Sequence, residues 1–86
     1  MTFHNADARI RTALYQLCQQ KGVATEGGVK INLRLTHKEL ADITGISRET
    51  ATRVLSSMQS AGILQVEKKR FFISDPDSLV DVLLLE

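Results

Sequence analysis

Eighty-six residues, 43% of them hydrophobic and 24% charged, make an ordinary globular balance: enough for one small domain with one modest core, and too apolar for a disordered chain. A net charge of +1 makes no case for a polyanionic partner by itself, and the single cysteine, Cys18, excludes an internal disulfide and lacks companions for a metal cluster. With no signal-like leader and no apolar run of membrane-spanning length, the sequence reads as cytoplasmic, without a membrane partner.

The first predicted element is a helix over 5–21. Ile10, Ala13, Leu14, Leu17 and Cys18 follow helical spacing, Asn5 or Asp7 is available as a cap, and Gly22 serves as a stop. Cys18 reads as a small buried residue on the helix edge, since nothing near it in sequence lowers a thiol pKa. His4 reads as a solvated residue near the terminus. Gly22 to Gly28 reads as a flexible connection. Val29, Ile31, Leu33 and Leu35 then alternate with Lys30, Asn32 and Arg34, which predicts a half-buried strand over 29–34.

Residues 36–61 read as two short helices joined by a tight turn. Thr36 followed three residues later by Glu39 is the pairing in which each side chain bonds the other's backbone N–H at a helix start. Leu40, Ala41 and Ile43 give this helix an apolar side, and Gly45 supplies the left-handed conformation that ends it. Ser47 is a second N-cap, after which Ala51, Val54, Leu55 and Met58 recur at the spacing of one buried face. At about 100° per residue those four lie within about 60° of Ala51, whereas Glu49, Thr52, Arg53 and Ser56 gather opposite, flanked by Arg48. A base-reading helix needs that front: arginine takes both acceptors of guanine, and glutamate accepts from the amino group of cytosine. A solvated helix face is polar too. What distinguishes the two is the small-residue pattern before it, with Ala41 permitting close helix approach and Gly45 making the turn.

Gly62 ends the second helix, and residues 63–74 predict two short strands turning at Glu67 to Arg70. The tip, Lys68, Lys69 and Arg70, is either a solvated turn or, directly after a helix-turn-helix, a wing lying along a sugar-phosphate backbone. Phe71 and Phe72 point to opposite faces, so one enters the core. Asp75 and Pro76 start a C-terminal helix over 76–84, whose Leu79, Val80, Leu83 and Leu84 make it apolar enough to pack on the body or on something outside this sequence. Charge is uneven along the chain. Residues 34–70 carry seven Lys/Arg against four acids, while residues 71–86 carry four acids and no Lys/Arg, so the middle attracts phosphate and the tail does not. These elements define an α+β, mainly α fold: a winged helix-turn-helix with a three-helix core, a small antiparallel β-sheet with a wing, and a short C-terminal helix.

The segment LTHKELADITGISRETATRVLSSMQSAGIL, from Leu35 to Leu64, resembles the C-terminal DNA-binding domain of the Crp/Fnr (cyclic-AMP receptor/fumarate-nitrate-reduction) transcription regulators. FFISD after it and a weaker match of NADARIRTALYQL before it extend the resemblance over nearly the whole chain, and SRETATR is its most specific part. The resemblance implies a recognition helix over 48–61 that enters the major groove of double-stranded DNA. It further implies near-palindromic promoter sites and a homodimeric full-length bacterial regulator. Carried over by position, it implies base reading by Arg48, Glu49, Thr52 and Arg53, with Thr52 at a position that varies between members. Phosphate contact is implied for His37, Lys38, Ser47 and Thr50, and Thr36, Ser56 and the wing residues Lys68 and Lys69 are further phosphate candidates; for His37 a plain solvated residue is the competing reading. It also implies that the Gly22–Gly28 loop touches RNA polymerase.

Full members of that family carry an N-terminal sensor and a dimer-forming helix that have no counterpart in these 86 residues. No cofactor is therefore expected in this chain, any effector belonging to a sensor outside it, and the chain is expected to be an excised domain or a natural short protein. Two other readings compete. A winged helix used only for protein contacts needs neither an exposed base-reading arginine nor a basic hairpin, and a stand-alone winged-helix repressor of another family would change the target and effector. An enzyme is not expected, because two histidines, one cysteine and scattered acids assemble no nucleophile, acid-base pair or metal set.

Overall fold

The computed structural model describes residues 6–84, with side chains described through residue 80. His4, the candidate cap Asn5 and the side chains of Leu83 and Leu84 lie outside the described residues. The chain runs α1 (Ala6–Lys21), β1 (Gly22–Thr25), β2 (Gly28–Ile31), α2 (His37–Thr44), α3 (Arg48–Ser60), β3 (Leu64–Glu67), β4 (Arg70–Ile73) and α4 (Pro76–Leu84). The strands form one antiparallel sheet in the order β1-β2-β4-β3. Its inner face contributes Ile31, Leu64, Phe71 and Ile73 to a core completed by Ile10 and Leu14 of α1, Leu40 of α2, Leu55 and Met58 of α3, and Leu79 of α4. Burial of each such side chain is worth about 1.5–3 kcal/mol relative to exposure. Phe71 is buried and Phe72 only half-buried, as strand alternation requires.

Three sequence expectations need correction. Gly22 to Gly28 is not a flexible connection, because it holds β1 and the turn of a hairpin in which Gly22 pairs with Ile31 and Thr25 with Gly28. The chain passes from α1 into β1 with no linker. The helix does stop at Lys21, just before Gly22, where a Cβ would run into the Cys18 carbonyl oxygen, so the glycine permits a close backbone approach.

The strand expected over 29–34 stops at Ile31. There the backbone turns away, Asn32 N–H donating to the Lys21 carbonyl at 2.7 Å and Leu33 N–H to that of Ile31 at 2.8 Å. Leu33 is consequently exposed, although Leu35 is buried. Finally, Ile43 is 60% exposed. The buried face of α2 is centred between Leu40 and Ala41, and at about 100° per residue Ile43 lies about 110° from that centre.

At the C-terminus, Asp75 starts α4 as expected, its carboxylate accepting from Asp77 N–H at 3.2 Å. The helix packs on α1. Arg11 bridges the two, donating to the carbonyls of Ser78 and Leu79 at 3.4 Å each while pairing with Asp7 at 2.8 Å.

Candidate nucleic-acid interface

Both helices of the pair start on side-chain caps. Thr36 Oγ1 accepts from Glu39 N–H at 3.0 Å and Glu39 Oε1 accepts from Thr36 N–H at 2.8 Å, closing a capping box. At the other end of α2, Gly45 adopts φ 77°, and its N–H and that of Ile46 both donate to the Ala41 carbonyl, at 2.8 and 3.1 Å. Ser47 Oγ then accepts from Thr50 N–H at 3.1 Å, so only three residues separate α2 from α3. Arg9 of α1 reaches the turn and donates to the Thr44 and Gly45 carbonyls at 3.3 and 3.5 Å. Ala41 and Ala51 are both buried, small enough to let α2 and α3 pack closely.

This arrangement presents the front of α3 to solvent. Arg48, Glu49, Arg53 and Ser56 are exposed, with Thr52 half-buried among them. Among the described residues, the side chains of Arg48, Glu49 and Arg53 make neither hydrogen bond nor ion pair, so their donors and acceptors are free for a ligand. Thr52 differs: its Oγ1 lies 2.9 Å from Nδ1 of His37, the first residue of α2.

The candidate phosphate contacts divide by partner and by place. Thr36, His37, Lys38, Arg48 and Lys69, with Leu35 and Val66, line one cleft of about 630 Å³ between the helix pair and the hairpin. Lys38 also holds Asp42 at 3.1 Å, an exposed pair of the kind that contributes little and yields readily to a phosphate. The Ser47 hydroxyl is occupied by the α3 cap and by Thr50 Oγ1 at 2.8 Å. Ser56 sits a turn beyond Thr52 and lines no part of the cleft. Lys68 lies elsewhere, lining a smaller cleft of about 220 Å³ with Lys30, Glu67, Arg70 and Phe72.

The division between the two wing lysines follows from the turn. Val66 pairs with Phe71 and Glu67 with Arg70, leaving two residues to reverse the chain. Of the two reversals that suit such a hairpin, the type I′ turn puts both residues in the left-handed region, and Lys68 and Lys69 adopt it with φ 53° and 66°. Lysine in that region costs roughly 1–2 kcal/mol per residue. Leu35 N–H donates to the Lys69 carbonyl at 2.9 Å, tying the tip to the segment that enters α2.

Residues 8–82 match the family of Crp-like helix-turn-helix domains. The chain belongs to that family. It is 31% identical over 72 residues to the global nitrogen regulator of Synechocystis sp., covering 84% of this chain and 32% of the relative. It is 32% identical over 79 residues to the CRP-like cAMP-activated global transcriptional regulator of Mycobacterium tuberculosis, covering 92% and 35%. Among solved structures, oxidized CprK in complex with o-chlorophenolacetic acid superposes with a TM-score of 0.82 at 26% identity, covering 92% of this chain and 34% of that one. The CO-dependent transcription factor CooA from Carboxydothermus hydrogenoformans gives 0.80 at 28% identity, covering 90% and 36%. The chain thus spans about a third of the length of the curated relatives it matches.

Three features of this Crp-like domain escape a reading of its sequence. The Arg9 tether and the His37–Thr52 bond join residues 35 and 15 positions apart, with no local pattern to announce them. The turn was legible as Glu67 to Arg70, but its strain was not, because that follows from the pairing of Glu67 with Arg70, which leaves only Lys68 and Lys69 to reverse the chain. Among the described residues, no group of three or more His, Cys, Asp or Glu could hold a metal ion, and no helix is long and apolar enough to cross a membrane.

Proposed function

We propose that this Crp-like domain reads double-stranded DNA sequence-specifically as the output module of a Crp/Fnr-type transcription regulator. In this reading α3 enters the major groove. Arg48, Glu49, Thr52 and Arg53 meet base edges, and the wing follows the backbone. The observation that carries it is the convergence of two helix starts, His37, Lys38, Arg48 and Lys69 on one cleft beside a recognition face whose arginines and glutamate have no partner within the described residues. Helix N-termini add unpaired N–H groups and a partial positive charge, which suit phosphate. Thr36 and Thr50 stand at those starts, where a hydroxyl can donate to the backbone of the duplex.

For the longer protein, the reading extends to a homodimer on a near-palindromic promoter site, with any effector bound outside these residues. The tip of the β1–β2 hairpin is a surface for RNA polymerase in the same reading.

Fluorescence anisotropy on a library of labelled duplexes tests the core of it. Because one module engages one half-site without the gain of a tethered second, the measurement belongs at low salt and micromolar protein. Affinity should favour some duplexes over others and fall between 50 and 200 mM salt, with log K losing about 0.9 per phosphate neutralised for each unit of log salt. Affinity that ignores both base sequence and salt would sink the reading.

A further inference from the structure

The DNA-reading assignment leaves open what fixes the chemistry of Thr52, the one groove-facing candidate whose side chain is held by another residue. A threonine hydroxyl both donates and accepts, so a free one discriminates poorly among base edges. Here Thr52 Oγ1 is 2.9 Å from His37 Nδ1, and both residues are half-buried, which fixes the pair in one geometry. The imidazole has two nitrogens with separate tasks. Nδ1 is committed to Thr52, while Nε2 makes no hydrogen bond among the described residues, and the ring lines the cleft that Thr36, Lys38, Arg48 and Lys69 share.

We propose that His37 is a specificity-setting residue, which fixes whether the Thr52 hydroxyl offers a lone pair or a proton to the base it faces. This rests on the DNA-reading assignment above and deepens it. A phosphate in the cleft can accept only from a protonated Nε2. A neutral ring that carries its proton on Nε2 has a bare Nδ1, and a bare Nδ1 must accept from Thr52 O–H. The Thr52 hydrogen is then directed at the imidazole, and only oxygen lone pairs remain for the groove. Such a hydroxyl accepts from the exocyclic amino group of adenine or cytosine and has nothing to give the acceptors of guanine or thymine. Phosphate engagement and base choice are thereby coupled through one ring, at a position 15 residues from the base reader in sequence.

The test is a comparison of the full chain with His37→Ala, Thr52→Val and the double variant, on duplexes carrying each of the four base pairs at every half-site position, near neutral pH. The expected result is that the unmodified protein favours adenine or cytosine at one position. His37→Ala and Thr52→Val should each reduce that preference to less than about threefold, with no further loss in the double variant and with preferences elsewhere kept. Thr52→Ser should restore it, since the hydroxyl returns. His37→Asn, which keeps a polar atom near the place of Nδ1 and loses the reach of Nε2, should weaken all duplexes more than it flattens that position. Nitrogen-15 spectra of the histidine ring should show Nε2 protonated and Nδ1 bare in the DNA complex. An unchanged positional preference in His37→Ala, or a ring protonated on Nδ1, overturns the proposal and leaves the DNA reading intact. An unmodified protein with no sequence preference at all overturns the DNA reading itself. Circular dichroism of His37→Ala separates either result from unfolding.

Discussion

Replacement of Arg53 by alanine should separate recognition from stability. The side chain is exposed and makes no hydrogen bond or ion pair among the described residues, so its loss should change folding stability by no more than about 0.5 kcal/mol. For a domain of this size that is a shift of less than about 4 °C in melting temperature. In the proposed reading the loss against DNA is a bidentate contact to guanine, worth about 1–3 kcal/mol, or about 5- to 150-fold in affinity on the cognate half-site. The same reading gives the spacing of its neighbour. Glu49 lies four residues before Arg53 on the same helix, about 6 Å along the axis at 1.5 Å per residue, which is just under two base-pair steps of about 3.4 Å. Arg53→Ala should therefore flatten preference at one position and leave a Glu49-dependent cytosine preference one or two steps away. Anisotropy on single-change half-site duplexes measures the first effect, and thermal melting in parallel measures the second. An equal loss on every duplex, or a melting drop of many degrees, would refute the assignment of Arg53 to a base edge.

The wing makes two opposed predictions. Replacing Lys68 with Asn and Lys69 with Gly gives the reversal the residues it favours, and should raise stability by about 1–2 kcal/mol in urea denaturation while weakening DNA binding. Taken singly, Lys69→Ala should lower the salt slope by about one counterion and Lys68→Ala should leave it almost unchanged, because only Lys69 lines the shared cleft; equal slopes would remove that distinction. Gly45→Ala should cost about 1–2 kcal/mol through its φ of 77° alone, since an added Cβ would meet nothing closer than the Arg9 guanidinium at 3.4 Å. A neutral result in denaturant would mean that the turn relaxes. Burial pushes the Cys18 thiol up from its ordinary value, so alkylation by iodoacetamide near pH 8 should be slower in the native chain than in the urea-unfolded one. The sign for stability follows: the native thiol keeps a proton that the unfolded chain has released, so stability falls as pH rises through the usual thiol range. Equal alkylation rates would contradict the burial.

What could be read from the chain was local chemistry. Thr36 with Glu39, Gly45, Ser47 and the Asp75–Pro76 step each determine a helix end through groups within four residues of one another, and each sits where its chemistry predicts. The face of α3 was legible for the same reason, since a period of 3.6 residues assigns every side chain once one buried residue is known. Strand β1 was not legible. Val23 and Ala24 carry no alternation, and what makes them a strand is pairing with Lys30 and Val29 across the hairpin. Leu33 misled because alternation continued through a turn made by backbone bonds to Lys21 and Ile31. In the site, composition revealed that the tip was basic but not that Lys68 and Lys69 serve different clefts, which depends on the handedness of the turn.

The contrast between held and free side chains has a consequence for affinity. Arg48, Glu49 and Arg53 have no partner in the described fold, so in the proposed reading each would lose about 0.5–1.5 kcal/mol of side-chain freedom on engaging a base. Thr52 is already fixed by His37, and the hydroxyls of Thr36 and Ser47 by the helix starts they cap. In that reading the strongest discriminators are the ones that must be ordered on binding, so a single domain would keep selectivity while losing strength. Joining two copies by a linker that spans successive half-sites supplies effective concentration without a new contact, and should raise affinity by about 10² to 10⁴. Because the added free energy comes from tethering, the base preference at each position of the half-site should be the same for the linked pair as for the single domain. A linked pair whose half-site preferences differ from those of the monomer would show that α3 is repositioned by its neighbour, and that the unpartnered side chains of α3 are not in their reading geometry in the single domain.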